Sequence, residues 1–349
     1  VKKILICVII ILMASMMVGC DNSEGVVYEE AWAMDTRITI SIFYAEDSGR
    51  STRHYRNLAR QGAQMAYMFD ELFNKYAEGS DIWRINHAGG EYVEVDGHTI
   101  AVLQHALNFR EISNGRFDVT IGAVTYLWDF GFHNEGIIPP RADIDRALES
   151  VGAAIYIDGN RVRLGHPETR LDLGGIAKGY AADYVAAFLE GHGVNAIVNF
   201  FGDIVLVGEH PVNRVWTVGT RDPLADEIFG ETLFVLQVEG GNAVVGSGTT
   251  SRYFIRDGRR FHHILDVDTG EPVISPFVHI SVVAPSGLIG EFLTTVLYTM
   301  DDNASFEIAQ MFGEIYAVMV DEAGNIWNTP GVGYVNDPNT VIPIFMFRY

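Results

Sequence analysis

The chain has 349 residues, 48% of them hydrophobic, and a formal net charge of −21. That length and apolar content support one large domain or two small ones with a sizeable core. The negative balance excludes an exposed nucleic-acid backbone as the natural partner.

Residues 1–19 read as a secretory signal. Lys2 and Lys3 form the charged start, an apolar run follows, and Val18-Gly19-Cys20 is the small-residue end. The run is short for a membrane span. The cysteines are Cys7 and Cys20, so cleavage before Cys20 leaves a folded body with no disulfide, thiolate metal site or cysteine nucleophile. Residues 20–31 read as the lead-in and a polar tether.

Alternation predicts a strand over residues 37–44. A helix over 51–75 follows, with Leu58, Met65, Met68, Phe69, Leu72 and Phe73 on its buried stripe. On pattern alone Tyr76 is a helix-end core residue, and Met34 a core methionine. A second helix is expected over 99–113, with Thr99 as its N-cap. Asp118 suits an Asx turn ahead of a strand, and the aromatic stretch 128–132 reads as packing. A short helix over 144–151 and strands at 154–157 and 162–164 lead to the centre of the chain.

That centre reads as a strand at 170–173, a glycine turn at Gly174-Gly175, a helix and a second strand at 196–199. The helix has apolar residues at helical spacing from Ile176 to Leu189, and Gly191-His192-Gly193 stops it. A glycine turn that feeds a helix N-terminus is a natural place for an anion. Lys178 lies in the first turn, against the dipole. It is either a solvated surface lysine or faces something negative. The glycine spacing is not that of a dinucleotide-binding fingerprint.

Strands are expected at 215–220 and 233–238. The turn at 246–249 is a weak phosphate signal and an ordinary hairpin bend otherwise. His262 and His263 are adjacent. On a strand such neighbours face opposite sides, so at most one serves a given site. A strand-to-helix unit at 280–295, a helix at 303–312 and strands at 315–320 and 326–327 close the pattern. Strands outnumber helices without even alternation, so the expected fold is α+β, one domain of mixed sheets with packed helices.

The run D-L-G-G-I-A-K-G-Y-A-A-D, Asp172 to Asp183, resembles the signature segment of the ApbE-like flavin transferases, the FAD:protein FMN transferases. Further segments match in order. They are a Met-x-Thr at Met34, an aromatic and Ser-to-Asn segment from Tyr76 to Asn86, and G-x-F-D-x-T-x-G from Gly115 to Gly122. L-W-x-F-G from Leu127, a histidine segment from His263 to Pro272, and the strand-to-helix turn at 280–295 complete them. The resemblance spans Trp32 to Trp327 and implies a single ApbE-like domain over 32–345.

It also implies a reaction: magnesium-dependent transfer of FMN from FAD to a threonine or serine hydroxyl of a partner flavoprotein, with AMP leaving. Met34, Tyr76, Arg116, Phe117, Asp118, Asp172 and Leu265 are then the FAD-holding residues. Mg2+ falls to the Gly175 carbonyl, Glu291 and Thr295, with Thr294 beside it, a hard-oxygen set that suits this ion. His263 is the candidate for taking the hydroxyl proton. Lys178 steadies charge on the phosphates. Glu291 stands where the family has aspartate, Phe201 where it has glycine, and Gly246 and Thr249 are further departures. A metal-dependent FAD pyrophosphatase and an FAD-binding lipoprotein without chemistry remain the alternatives.

Met17-Val18-Gly19-Cys20 resembles a bacterial lipoprotein box, which implies a lipid on Cys20 and an extracytoplasmic body held at the cell membrane. Asp21 favours the periplasmic face of the inner membrane in a two-membrane cell.

Overall fold

A hairpin opens the fold. Strands β1 (Glu24–Ala33) and β2 (Thr36–Ala45) pair antiparallel along their whole length. β1 therefore occupies most of the stretch expected as a tether, because its alternate residues Val27, Ala31 and Ala33 are buried in the core. The computed structural model describes residues 24–46, 48–131, 136–225, 232–300, 302–329 and 341–344. The signal segment and Cys20 lie outside them.

Helix α1 (Thr52–Phe73) starts where Ser51 accepts the His54 N–H, and it buries Leu58, Phe69 and Phe73. α2 (Asp81–His87) is capped by Ser80. After β3 (Val93–Glu94), α3 (Gly97–Ile112) begins two residues before the expected cap. Asp96 is the N-cap and accepts the His98 N–H at 2.8 Å. Thr99 is instead buried inside the first turn, with its hydroxyl on Asp81 at 2.6 Å.

α4 (Gly122–Trp128) takes up part of the aromatic stretch read as packing, and Trp128 does pack. α5 (Arg141–Leu148) lies three residues earlier than expected. β4 (Ile155–Asp158) and β5 (Arg161–Leu164) complete a small sheet with β3.

The expected strand at 170–173 forms no ladder. It has one bridge, Arg170 to Ile121, and one backbone bond from Asp172 N–H to Val119 O at 2.8 Å. Asn86 holds it instead, with its amide gripping both the N–H and the C=O of Leu171 at 2.6 and 2.9 Å. α6 (Ala177–Gly191) follows the glycine turn, and β6 (Asn195–Phe200) and β7 (Asp203–Val207) form the next hairpin.

Beyond them come β8 (Trp216–Arg221), β9 (Thr232–Val238) and β10 (Ala243–Gly248). A separate hairpin, β11 (Tyr253–Arg256) and β12 (Arg259–His262), precedes β13 (Phe277–Ala284). The chain continues through α7 (Gly287–Thr299), α8 (Asp302–Gln310), β14 (Tyr316–Asp321), β15 (Ile326–Asn328) and β16 (Val341–Ile344).

The main sheet has eight strands in the order β1-β2-β6-β7-β10-β13-β14-β15 and is antiparallel throughout. Each face is apolar. One face, with Ile40, Val198, Val245 and Val282, packs under α1, α6 and α7. The other, with Leu206, Val244 and Val283, packs on Trp216, Phe234 and Leu236 of the small β8–β9 sheet. The fold is α+β, as expected from the uneven alternation.

α6 and α7 meet at their N-terminal turns. A Cβ on Gly179 would lie 2.4 Å from the Gly287 carbonyl oxygen, closer than any side chain tolerates. Asp183 locks the contact by accepting the Gly287 and Leu288 N–H groups at 2.7 and 2.9 Å, which serves the start of α7. Gly179→Ala is expected to destabilise the fold by about 1–3 kcal/mol, read as a lower urea midpoint with an unchanged slope. An unaltered midpoint would mean the helices do not approach this closely.

Candidate active site

The hairpin tips define one end of the sheet. Ala33 pairs with Thr36 and Phe200 with Asp203, so each tip is a two-residue loop. Met34 and Asp35 have φ of 54° and 55°, and Phe201 and Gly202 have 53° and 104°. Positive φ at both central residues is what a type I′ hairpin turn needs. For the three non-glycine residues it is strained, at roughly 1 kcal/mol each. Ile38 pairs with Phe200, so the two tips are neighbours. Phe201, in place of the family's glycine, keeps a glycine-like backbone and leaves its ring 64% exposed.

Asp203 opens β7 at this end and is buried. Its carboxylate forms an ion pair with Lys178. The same ammonium lies 3.1 Å from Glu291 Oε1, and Glu291 Oε2 accepts the Gly179 N–H at 2.7 Å. Lys178 thus faces something negative, and the anion at the α6 N-terminus is the protein's own glutamate. α6 has no side-chain cap of its own, so Glu291 supplies the acceptor that its first turn lacks.

Burial works against the Lys178 charge, but Asp203 and Glu291 outweigh it and raise its pKa. Burial raises Glu291, and the neighbouring Asp203 adds to this against the pull of Lys178. Because burial holds Glu291 toward its protonated form, Lys178 is balanced chiefly by Asp203, and the cluster gains net negative charge only where Glu291 ionises.

Thr294 and Thr295 lie on α7 beside it. Both hydroxyls donate to the Glu291 carbonyl, at 3.0 and 3.1 Å, and Thr294 also accepts from Ser247 at 2.9 Å. Gly175 faces Thr295: a Cβ there would lie 3.6 Å from its hydroxyl oxygen and 3.3 Å from the Phe117 ring. The fold therefore gathers Gly175, Lys178, Glu291, Thr294 and Thr295 from two distant segments. Among the described residues no group of three or more His, Cys, Asp or Glu could hold a metal; the oxygen donors here are of mixed type.

A second cluster sits before the glycine turn. Lys75 donates to Asp172 Oδ2 and Thr125 Oγ1, both at 2.8 Å, and its ammonium lies 4.5 Å from the Tyr126 ring centroid and 5.0 Å from that of Tyr76. Burial alone would raise the Asp172 carboxyl, but Lys75 and Thr125 bring it down to about 2. Tyr76 is half exposed, with its hydroxyl 3.3 Å from Asp129, so it is not the core residue its pattern suggested. Lys75, Tyr76 and Tyr126 line a cleft of about 410 Å³ with Trp83, His87 and Arg170.

The other candidates are placed differently. Phe117 is buried edge-on to Phe292 at 5.4 Å. Asp118 makes the Asx turn, accepting the Thr120 N–H at 2.8 Å, and pairs with Arg110 at 3.0 Å. Arg116 reaches Asp268 at 2.6 Å. Leu265 is buried with Trp128 and Phe261. Met34 is half-buried at its tip.

His262 ends β12 and turns inward to the Val273 carbonyl at 3.1 Å. His263 follows it, with Nδ1 buried and without a hydrogen-bond partner among the described residues. Burial, then the nearby Arg252 charge, pushes its pKa down to about 3, and Lys178 contributes. The ring is therefore neutral at physiological pH.

Sequence reasoning left Asp203, Asp183, Lys75 and Thr125 without roles. Asp183 closes the signature run and Asp203 closes the hairpin, so both were in view. Their partners lie in distant segments, which no local pattern connects.

Removing the Lys178 cation would strand two buried carboxylates. Lys178→Met is expected to cost about 3–5 kcal/mol, measured by urea unfolding at pH 8. A cost under 1 kcal/mol would show that the pair is solvated.

The ApbE family profile matches residues 34–319. An FAD:protein FMN transferase of Klebsiella pneumoniae is 31% identical over 278 residues, which cover 78% of this chain and 85% of that protein. One from Treponema pallidum is 32% identical over 254 residues, covering 67% and 68%. The crystal structure of the ApbE protein from Thermotoga maritima superposes with a TM-score of 0.77 at 28% identity, over 88% of this chain and 97% of that one. With the profile match spanning most of its length and the signature residues gathered at one end of the sheet, this chain belongs to the ApbE family.

Proposed function

We propose that the chain transfers FMN from FAD to a threonine or serine hydroxyl of a partner flavoprotein and releases AMP. The observation that carries this reading is the convergence of Gly175, Lys178, Glu291, Thr294 and Thr295 on one buried, charged point at the glycine turn. The relatives' activity agrees with it.

The acceptor oxygen attacks the phosphorus of the FMN half. A new P–O bond forms, the P–O bond to the AMP half breaks, and the hydroxyl proton is released. On this reading His263 takes that proton. Its ring is neutral, and its unpaired Nδ1 is the kind of buried polar atom that a ligand satisfies. Tyr76, Tyr126 and Met34 supply apolar and aromatic surface for the isoalloxazine ring. On this reading Arg116, Phe117, Asp118 and Leu265 would complete the FAD-holding set, and Asp172, bonded to Lys75, keeps that ammonium at the cleft.

The donor set fits a magnesium ion: the Gly175 carbonyl, the Thr295 and Thr294 hydroxyls and the Glu291 carboxylate are hard oxygens, and a bound cation would favour the ionised form of Glu291. When bound, Mg2+ would neutralise diphosphate charge. Lys178 keeps the two acids compatible with that site.

A lipid on Cys20 would hold the body close to the membrane. Glu24 already belongs to β1, and the intervening chain reaches at most roughly 14 Å. No helix among the described residues is long and apolar enough to cross a membrane. The body then lies on the extracytoplasmic side, the periplasmic face of the inner membrane in a two-membrane cell.

The test incubates the protein with FAD and Mg2+, with and without a flavin-acceptor domain. An acceptor heavier by one FMN, with AMP released, is the expected result. FMN and AMP without an adduct would mean a pyrophosphatase, and intact bound FAD a carrier. Chelation and Thr295→Ala should both remove turnover while FAD still binds. His263→Ala should slow transfer by about 10²-fold. With the histidine pKa near 3 in the free protein, the neutral ring persists as pH falls. The kcat/KM profile should therefore lack a histidine inflection near 6.5.

A further inference from the structure

Lys75 takes no part in the transfer step, yet its side chain is only 14% exposed. It stands two residues past the end of α1, and its backbone is held by its neighbours. The Tyr126 hydroxyl donates to the Lys75 carbonyl at 2.7 Å. Ser80 donates to the Asn74 carbonyl at 2.6 Å, and the Tyr76 N–H donates to the Asn74 side chain at 3.0 Å. A largely buried ammonium persists only where it is paired and hydrogen-bonded. Here its partners are Asp172 Oδ2 and Thr125 Oγ1, both at 2.8 Å, and the Tyr126 and Tyr76 rings flank it.

Asp172 is the other end of the contact, with its side chain 18% exposed. Both carboxylate oxygens are taken. Oδ2 receives Lys75 and, at 2.6 Å, the Thr125 hydroxyl. Oδ1 receives the Gly174 N–H at 2.8 Å. A Cβ on Gly174 would lie 3.1 Å from that same oxygen, so the turn closes directly on the carboxylate. The Asp172 N–H, bonded to the Val119 carbonyl, fixes the backbone beneath it. The line from Lys75 through Asp172 to Gly174 therefore joins the end of α1 to the turn that carries Gly175. An ammonium used in this way is not free for the phosphates of FAD. Turning to them would leave a largely buried carboxylate without its cation, which is strongly unfavourable.

We propose that Lys75 is a positioning residue for FAD: it fixes the Asp172 carboxylate against the glycine turn and so sets the backbone that receives the dinucleotide. This rests on the reading of Asp172 and the turn as FAD-holding. Lys75 acts through Asp172 and not by touching FAD, so the two residues behave as one unit. A pair of this kind shows its coupling as non-additive losses.

The test uses the full chain. FAD affinity is measured by equilibrium dialysis with a chelator present, and KM and kcat with Mg2+ and a flavin-acceptor domain. Lys75→Met should weaken FAD binding about tenfold and raise the KM for FAD alike, with kcat changed less than KM. Lys75→Arg keeps a cation and should recover most of the affinity. Asp172→Asn should match Lys75→Met, and the double variant should be no weaker than the weaker single one. The double variant leaves no stranded charge, so its comparison with Asp172→Asn holds even where Lys75→Met fails to fold. A further tenfold loss in the double variant overturns the proposal, because Lys75 would then contact FAD itself. A lower urea midpoint with unchanged FAD affinity also overturns it, because the ion pair would then serve the fold alone. A wild type that binds FAD but modifies no acceptor overturns the transferase reading and not this one, which is decided by the FAD affinities.

Discussion

Everything at the active end depends on how closely two helix N-termini can approach. Gly179 and Gly287 are the points of contact; Gly179 has no room for a side chain, and a Cβ on Gly287 would be tight at 3.1 Å from the Gly179 carbonyl oxygen. The approach matters because a helix end carries unpaired N–H groups and partial positive charge. α6 has no capping side chain, and α7 carries a buried glutamate one turn in from its own start. Each would be costly alone: an orphaned donor in one case, a buried carboxylate in the other. Packed through the glycines, each satisfies the other. Lys178 then joins them to Asp203 at the mouth of the β6–β7 hairpin, so that two helices and the sheet are fixed to one another at a single charged point.

The sheet contributes strain as well as position. Met34, Asp35 and Phe201 sit in left-handed backbone at adjacent tips, at a cost that ordinary turn residues would avoid. Left-handed non-glycine residues concentrate where geometry serves function. Here the tight two-residue loops keep Asp203 and Thr36 at the very ends of their strands. A longer loop would let Asp203 move away from Lys178.

The elements with strong periodicity were legible in the sequence: the alternating β2, the apolar stripe of α1 and the signature helix α6. That Lys178 faces a negative group was one of two readings the pattern left open, beside a solvated surface lysine. What local pattern could not supply was which group. Asp203 and Glu291 lie 25 and 113 residues from Lys178, and sequence spacing carries no information about such pairs. The same limit explains the errors. Thr99 resembles a cap, but Asp96 takes the helix start because Thr99 finds Asp81. Residues 170–173 are apolar enough for a strand, yet Asn86 satisfies their backbone in place of a neighbour. Residues 24–31 look polar, but their alternate positions are small and apolar, and β2 offers a free edge. The family segments contain Lys178 and Glu291, and the ion pair shows how two of those segments meet.

The glutamate at 291 is best understood from its reach. Its carboxylate spans to the Gly179 N–H and to Lys178 at the same time, at 2.7 and 3.1 Å. An aspartate on the same turn of α7 would be shorter by one methylene, about 1.5 Å, which is enough to give up one of the two partners. The longer side chain therefore ties the carboxylate to α6, while the Thr294 and Thr295 hydroxyls stay on the Glu291 carbonyl. That arrangement separates two tasks which a single aspartate would have to share. Glu291 serves the helix end and the lysine, and Asp203 balances the lysine charge from the side of the sheet. On this argument the glutamate does not weaken the charged centre. In the proposed magnesium site its carboxylate would reach the ion from a position already fixed by α6, with the Gly175 and Thr295 oxygens as its neutral neighbours.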